Sequence, residues 1–140
     1  MRIKIIVPGV PVAKGRPKFR KVGRFVQTYT PAKTHKAEKW IADCFKAQVL
    51  KVPKEYDELY LTCNFFMPFP KSTSKKRQGE WHERKGHTKR PDLDNLVKTV
   101  CDGLNGVAFS DDSAIVCMDV AKVYSKEPRT EIYITYKKGD

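Results

Sequence analysis

The chain has little of what marks a secreted, membrane or zinc-binding protein. Its four cysteines, among 140 residues, form no Cys-x-x-Cys pair, and none has a histidine close by, which excludes a zinc knuckle or a thiol redox motif. We expect these cysteines to be reduced and mostly buried. No run of 18 apolar residues occurs, and no apolar signal segment follows Met1. These absences predict a cytoplasmic protein with no membrane contact.

Acidic residues are also few. The chain has 28 Lys and Arg against 16 Asp and Glu, a formal net charge of +12, and the first acidic residue is Glu38. A second basic cluster covers residues 71–90. Such an excess of positive charge indicates a polyanionic partner, although a basic run is often only a solvated surface. Ten basic residues precede Glu38: Arg2, Lys4, Lys14, Arg16, Lys18, Arg20, Lys21, Arg24, Lys33 and Lys36.

The hydrophobic pattern predicts one α+β domain over residues 1–140. We expect strands at 2–7, 59–67, 114–123 and 131–136, and a basic ribbon at 18–29 that turns at Gly23. One helix is predicted from the N-cap Thr30, with Pro31 in its first position, to about Leu50, and another over 93–104. Residues 70–91 are predicted as a long polar loop. The predicted architecture is a two-layer sandwich in which two helices pack on a mixed sheet.

Five of the sixteen acidic residues form a local cluster. Five aspartates and a single lysine lie between positions 92 and 112, where their mutual repulsion is costly unless a cation is present. Helical spacing places Asp94, Lys98 and Asp102 on one stripe opposite the apolar face. Helix capping explains one aspartate at the start of this helix, and an Asx turn explains Asp111-Asp112.

The alternative to capping is a metal site. Asp92 is surplus to the capping explanation, and carboxylates that converge beside phosphate suit Mg²⁺ or Mn²⁺. A basic protein that brings such a metal to a phosphodiester is a nuclease, with Lys98 stabilising developing charge. The three histidines, His35, His82 and His87, are interpreted as surface or loop residues because no motif surrounds them.

Several short motifs together resemble the RusA family of Holliday junction resolvases. They are Lys14-Gly15-Arg16-Pro17, Tyr29-Thr30-Pro31, residues 91–98, residues 102–106 and Asp111-Asp112. The resemblance covers most of the chain from about Val7 to Ile134. It implies a homodimer that binds branched DNA, a four-way junction, and nicks two opposing strands with magnesium and without a small-molecule cofactor. The long basic loop looks like that of phage and prophage relatives in a bacterial host.

Carried over residue by residue, the resemblance implies catalytic roles for the following positions. Asp92, Asp94 and Asp112 match the carboxylates that hold the metal, with Asp112 a better match than Asp111, and Lys98 matches the catalytic lysine. The basic residues expected to contact DNA are Lys14, Arg16, Lys18, Arg20, Lys89 and Arg90.

Two other classes of protein remain compatible with the charge. One is a non-catalytic DNA-binding protein, which has no reason to hold three aspartates beside phosphate. The other is an RNA-binding, ribosome-associated factor, which suits the aromatic residues of the ribbon but leaves the acidic cluster unexplained.

Overall fold

A computed structural model describes residues 1–16, 18–29 and 31–139. The strands are β1 (Arg2–Pro8), β2 (Lys18–Val22), β3 (Phe25–Tyr29), β4 (Glu58–Met67), β5 (Ile115–Tyr124) and β6 (Arg129–Lys137). The helices are α1 (Ala32–Gln48), α2 (Lys75–Trp81) and α3 (Leu93–Leu104), and a single 3-10 turn covers Asp112–Ala114. In the part of the chain described, no helix is both long and apolar enough to cross a membrane.

Four strands form a mixed sheet in the order β1-β6-β4-β5. β6 pairs antiparallel with both β1 and β4, whereas β4 and β5 are parallel. The parallel pair requires a crossover, and α3 lies in it. α1 packs on α3 and β1, and α3 also contacts β5. The predicted α+β sandwich, with two helices on a mixed sheet, is therefore confirmed.

The core lies between the sheet and the two long helices. Ile3, Ile5 and Val7 alternate with exposed residues along β1, because successive side chains of a strand point to opposite faces. α3 contributes Leu96, Val97, Val100 and Leu104, the stripe expected from the sequence. Where the two long helices cross, a Cβ atom on Gly103 would lie 2.9 Å from the carbonyl oxygen of Glu38. The helices thus approach closely only because this position lacks a side chain.

Residues 70–91 are more ordered than the predicted polar loop. They contain α2, which begins after Ser74, and the Ser74 hydroxyl accepts a hydrogen bond from the Arg77 N–H. The sequence prediction missed this helix because none of its residues is buried, so it has no apolar periodicity. Farther along, Gly86 bridges to Val123 of β5, and the Trp81 ring lies 5.7 Å from that of Tyr124. The loop is therefore docked on the end of β5.

Other element boundaries differ by one or two residues. α1 begins at Ala32, so Pro31 stands just before the helix rather than in its first position, and the predicted cap Thr30 lies outside the described residues. α1 also ends at Gln48, and β5 begins at Ile115 after the 3-10 turn. All four cysteines are free, and only Cys117 is exposed, as the expectation of mostly buried thiols requires.

Candidate active site

A cleft of about 730 Å³ opens between residues 10–16 and the loop that leads into α3. The start of α1 and the end of β4 form its other walls. Segment 10–16 is held against α3 by the Lys14 N–H, which donates to the Asn95 carbonyl oxygen at 2.9 Å. The charged and titratable residues of the cleft are Lys14, Arg16, Lys33, His87, Arg90 and Asp92. Four cationic side chains therefore surround a single carboxylate.

The residues on either side of the basic ribbon line this cleft, with Gly15 and Arg16 before the ribbon and Pro31 after it. The Gly15 N–H donates to the Thr34 hydroxyl at 3.0 Å, and a Cβ atom at Gly15 would lie 3.0 Å from both Thr34 Oγ1 and Pro31 Cγ. A glycine at this position lets the chain approach the start of α1 closely. Arg16 and Pro31, which flank the ribbon, both line the cleft.

Asp92 occupies the N-cap position of α3, but its side chain makes no capping hydrogen bond. Only the backbone of Asp92 takes part in the start of the helix: its carbonyl oxygen accepts a hydrogen bond from the Leu96 N–H at 3.2 Å. The Asp92 carboxylate is exposed and faces the cleft. Capping therefore does not explain why an aspartate stands here.

Lys122 positions the backbone that carries Asp92. Its ammonium group donates to the carbonyl oxygens of Lys89 and Pro91, each at 2.6 Å. Lys122 belongs to β5, so this strand fixes the segment that immediately precedes α3. Sequence reasoning missed this role, because no local signal connects a lysine in a strand with a loop some thirty residues earlier.

Asp94 and Lys98 lie outside the cleft lining on the exposed side of α3, one turn apart, as the helical spacing predicts. Asp94 is in the first turn, where the helix dipole favours a negative charge. Asp102, on the next turn of this stripe, accepts a hydrogen bond of 2.8 Å from the Lys14 ammonium group.

The two aspartates before β5 have different surroundings. The Asp111 carboxylate accepts a hydrogen bond from the Ser113 N–H at 3.3 Å. Hydrogen bonding with the Ser113 side chain, and then with its backbone, lowers the pKa of Asp111. Asp112 is half-buried. Burial raises the pKa of the Cys101 thiol to about 11, and the negative charge of Asp112 raises that pKa further. Asp111 therefore makes the Asx turn, and Asp112 lies near the last turns of α3.

The predicted ligands are not assembled into one cluster. Asp94 lies in the first turn of α3, whereas Asp112 follows the end of this helix by eight residues, after a turn in which the Gly106 N–H donates to the Phe109 carbonyl oxygen at 2.7 Å. Among residues 1–16, 18–29 and 31–139, no group of three or more His, Cys, Asp or Glu side chains is arranged to hold a metal ion. The structure thus brings Asp92 and Asp94 to the start of α3 and leaves Asp112 toward its other end.

The residues expected to contact DNA fall into two groups. Arg16 and Arg90 line the cleft with Lys14, whereas Lys18 and Arg20 lie on the exposed β2–β3 hairpin. Lys14 also has a structural role, because its ammonium group donates to Glu38 at 2.9 Å as well as to Asp102. The exposed Lys89 stands beside the cleft, before Arg90.

His87 lies in a loop, as expected, but it is buried and lines the cleft. Only 8% of the residue is exposed, and its Nδ1 atom is buried with no hydrogen-bond partner among the described residues. Its ring centroid lies 4.9 Å from that of Tyr124. Burial lowers the pKa of His87, and the nearby charge of Lys122 lowers it further. No motif around His87 indicates this burial, which follows from the docking of the loop on β5.

Comparison with known proteins gives three findings. The family model described as endodeoxyribonuclease RusA matches residues 8–135. The chain is 35% identical over 141 residues to the uncharacterized protein YqaN of Bacillus subtilis (strain 168), covering 94% of each chain. It is 41% identical over 96 residues to the crossover junction endodeoxyribonuclease rusA of Lactococcus phage r1t, covering 64% of this chain and 67% of the phage protein.

Proposed function

Since this chain belongs to the RusA family of endodeoxyribonucleases, we propose that it resolves four-way DNA junctions by nicking two opposing strands. The reaction would serve DNA recombination and repair. Support comes from the matched relative of Lactococcus phage r1t, whose name is that of a crossover junction endodeoxyribonuclease. The same likeness favours a phage or prophage origin for this chain.

The observation that carries this proposal is the Asp92 carboxylate in a cationic cleft. Arg16, Lys33 and Arg90 supply positive charge that attracts and positions a phosphodiester backbone, whereas Lys14 is paired with Glu38 and Asp102. Asp92 would repel the same phosphate, and it does not cap α3. A carboxylate placed against a polyanion without a structural role is expected when a cation stands between the two.

We propose that Asp92 and Asp94 hold Mg²⁺, with Mn²⁺ as a substitute. Two carboxylates at the start of one helix fit this ion, because Mg²⁺ in proteins is usually held by one or two carboxylates together with water and substrate phosphate. Such a donor set needs no cluster of three protein ligands. When bound, the metal supplies neutralisation of phosphate charge and a water of lowered pKa.

Two further residues complete the proposed site. Lys98, one turn after Asp94, stabilises negative charge that develops on the phosphate or the leaving oxygen. Asp112 is the third carboxylate of the proposal. Asp112 lies beyond the end of α3, whereas Asp94 lies at its start, so the role of Asp112 needs a separate test. If Asp112 is a metal ligand, its replacement must lower metal affinity as well as cleavage.

A homodimer is also part of the proposal. A four-way junction has approximate two-fold symmetry, so a two-fold protein presents identical sites to opposing strands. Sedimentation should then give about twice the 16.1 kDa of one chain.

The experiment uses the purified chain with labelled four-way junction, linear duplex and RNA, with Mg²⁺, with Mn²⁺ and with a chelator. We expect paired nicks in the junction only, and only with metal. Asp92→Asn and Asp94→Asn should lower cleavage by orders of magnitude while junction binding persists. Asp111→Asn is the matched control, because its side chain can still accept from the Ser113 N–H, and it should cut nearly as well as the parent.

Other outcomes would identify another function. Undiminished cutting by both Asp92→Asn and Asp94→Asn would remove the metal site from the proposal. Junction binding without cleavage under any metal would indicate an architectural DNA-binding protein. Preferential binding of RNA would indicate an RNA-binding factor.

A further inference from the structure

We propose that the β2–β3 hairpin inserts an apolar pair at its tip, Val22 and Phe25, between bases at the branch point of the DNA junction. This inference rests on the proposed function, since it requires a branched DNA substrate. It adds a contact with bases to the phosphate contacts expected of the basic residues.

The hairpin stands apart from the body of the protein. All ten residues of its two strands are exposed, and the large side chains on one face, Val22, Phe25 and Tyr29, are exposed by 50%, 77% and 42%. An isolated two-stranded hairpin is marginally stable in water. Three large apolar side chains left in water therefore indicate a surface that is completed by a ligand.

The register places Val22 and Phe25 opposite each other, with Gly23 and Arg24 as the turn between them. Gly23 has a φ of +59°, which suits the first central position of a two-residue hairpin turn. Strands of five residues extend about 17 Å, so the pair projects well beyond the base of the hairpin. Arg16 and Pro31, at that base, line the cleft that contains Asp92. DNA held in the cleft is thus within reach of the tip.

Charge decides the class of ligand. Residues 18–29 contain Lys18, Arg20, Lys21 and Arg24 and no acidic residue. A polyanion complements this charge, and aromatic side chains among cations suit bases that have lost a stacking neighbour. Apolar side chains inserted between base steps are a known means of opening and bending duplex DNA. A branch point lowers the cost, because its bases are already incompletely stacked.

One face of the hairpin is already ordered for this contact. Arg20 donates to the Gln27 side-chain oxygen from Nε at 3.0 Å and from Nη2 at 2.9 Å, and its guanidinium lies 5.7 Å from the centroid of the Tyr29 ring. Strand alternation places these residues on the same face as Val22 and Phe25. Val26 lies on the opposite face, which makes it a matched control.

The test measures binding without metal, so that cleavage does not enter, on a junction that carries 2-aminopurine at the branch point and on a linear duplex with the same label. Wild-type protein should raise the fluorescence of the junction by unstacking the label. Phe25→Ala should abolish this rise and weaken junction binding roughly 5- to 150-fold, the range expected for loss of one base–aromatic stack. Duplex affinity should not change. Phe25→Trp should retain the fluorescence rise, and Val26→Ala should bind both substrates as the parent does.

Several results would overturn the proposal. They are an unchanged fluorescence rise with Phe25→Ala, an equal loss of affinity for junction and duplex, or an equal effect of Val26→Ala. A change of Phe25→Ala from dimer to monomer in sedimentation would assign the tip to a second copy of the chain instead. If wild-type protein nicks junctions while Phe25→Ala binds them normally, the proposed function stands and the hairpin inference fails. If wild-type protein does not distinguish junction from duplex, the proposed function itself fails.

Discussion

Lys14 and Asp102 are joined by a hydrogen bond of 2.8 Å across 88 positions of the chain. The same ammonium group donates to Glu38 of α1, so Lys14 ties residues 10–16 to both long helices. Its side chain is only 26% exposed. We expect Lys14→Ala to lower the free energy of unfolding by about 1–2 kcal/mol, since charged hydrogen bonds are lost at a partly buried site. Urea denaturation measures this change.

Arg16→Ala is the control for that variant. Arg16 is exposed at the cleft, so its replacement should leave the free energy of unfolding unchanged. It should reduce the slope of the logarithm of the DNA-binding constant against the logarithm of the salt concentration by about one unit. Equal destabilisation by the two variants would contradict the structural role of Lys14. An unchanged salt slope for Arg16→Ala would remove Arg16 from the DNA surface.

Gly103→Ala should destabilise the protein although alanine favours helices. Its Cβ atom would lie 2.9 Å from the Glu38 carbonyl oxygen and 3.0 Å from the Ile41 Cβ, so the helices must separate. We expect a loss of about 1–3 kcal/mol in the free energy of unfolding. Gly79→Ala in α2 is the comparison, because nothing lies within 4 Å of the new Cβ atom, and it should be neutral or slightly stabilising. Similar values for both variants would refute close packing at Gly103.

His87 should make stability depend on pH. Burial holds the pKa of the folded His87 below 6.5, its ordinary value, so the unfolded chain binds the proton more readily. The contribution of His87 to the free energy of unfolding should therefore be fully present above pH 6.5. It should be lost as the pH falls through 6.5 toward the pKa of the folded state. His87→Gln should flatten this decline in thermal unfolding, whereas the exposed His35→Gln should retain it. A parallel decline in His87→Gln would assign the effect to other groups.

Asp92 should be replaceable without loss of stability. If its carboxylate capped α3, Asp92→Ala would cost about 1 kcal/mol more than Asp92→Asn, because Asn also caps. The side chain makes no such hydrogen bond, so the two variants should agree within about 0.5 kcal/mol in chemical denaturation. If Asp92→Ala were less stable than Asp92→Asn by about 1 kcal/mol, the capping interpretation would be correct.

Local patterns predicted most of the elements. The alternation of Ile3, Ile5 and Val7 and the helical spacing of Leu96, Val97, Val100 and Leu104 reflect burial on one face, and burial leaves a period in the sequence. The α2 helix has no buried face and therefore left no such period. The order of the four strands followed from no local signal either.

The sequence could single out candidate site residues but not their arrangement. Asp92 and Asp94 could be proposed from the sequence because they lie close together at the start of α3. The contacts of Lys122 with Lys89 and Pro91, and of Lys14 with Asp102, join distant segments and exist only after the chain has folded. The separation of Asp112 from Asp94 likewise follows from how the segment after α3 returns to the sheet.

The position of β6 between β1 and β4 has a consequence for synthesis. β1 precedes β6 by more than 120 positions but has it as its neighbour in the sheet, and β4 also pairs with β6. During translation, β1 therefore remains unpaired until residues 129–137 have emerged from the ribosome. The exposed edges of β1 and β4 are open to wrong pairing throughout this time. Residues 129–137 must thus be translated before the layer that supports the cleft can close.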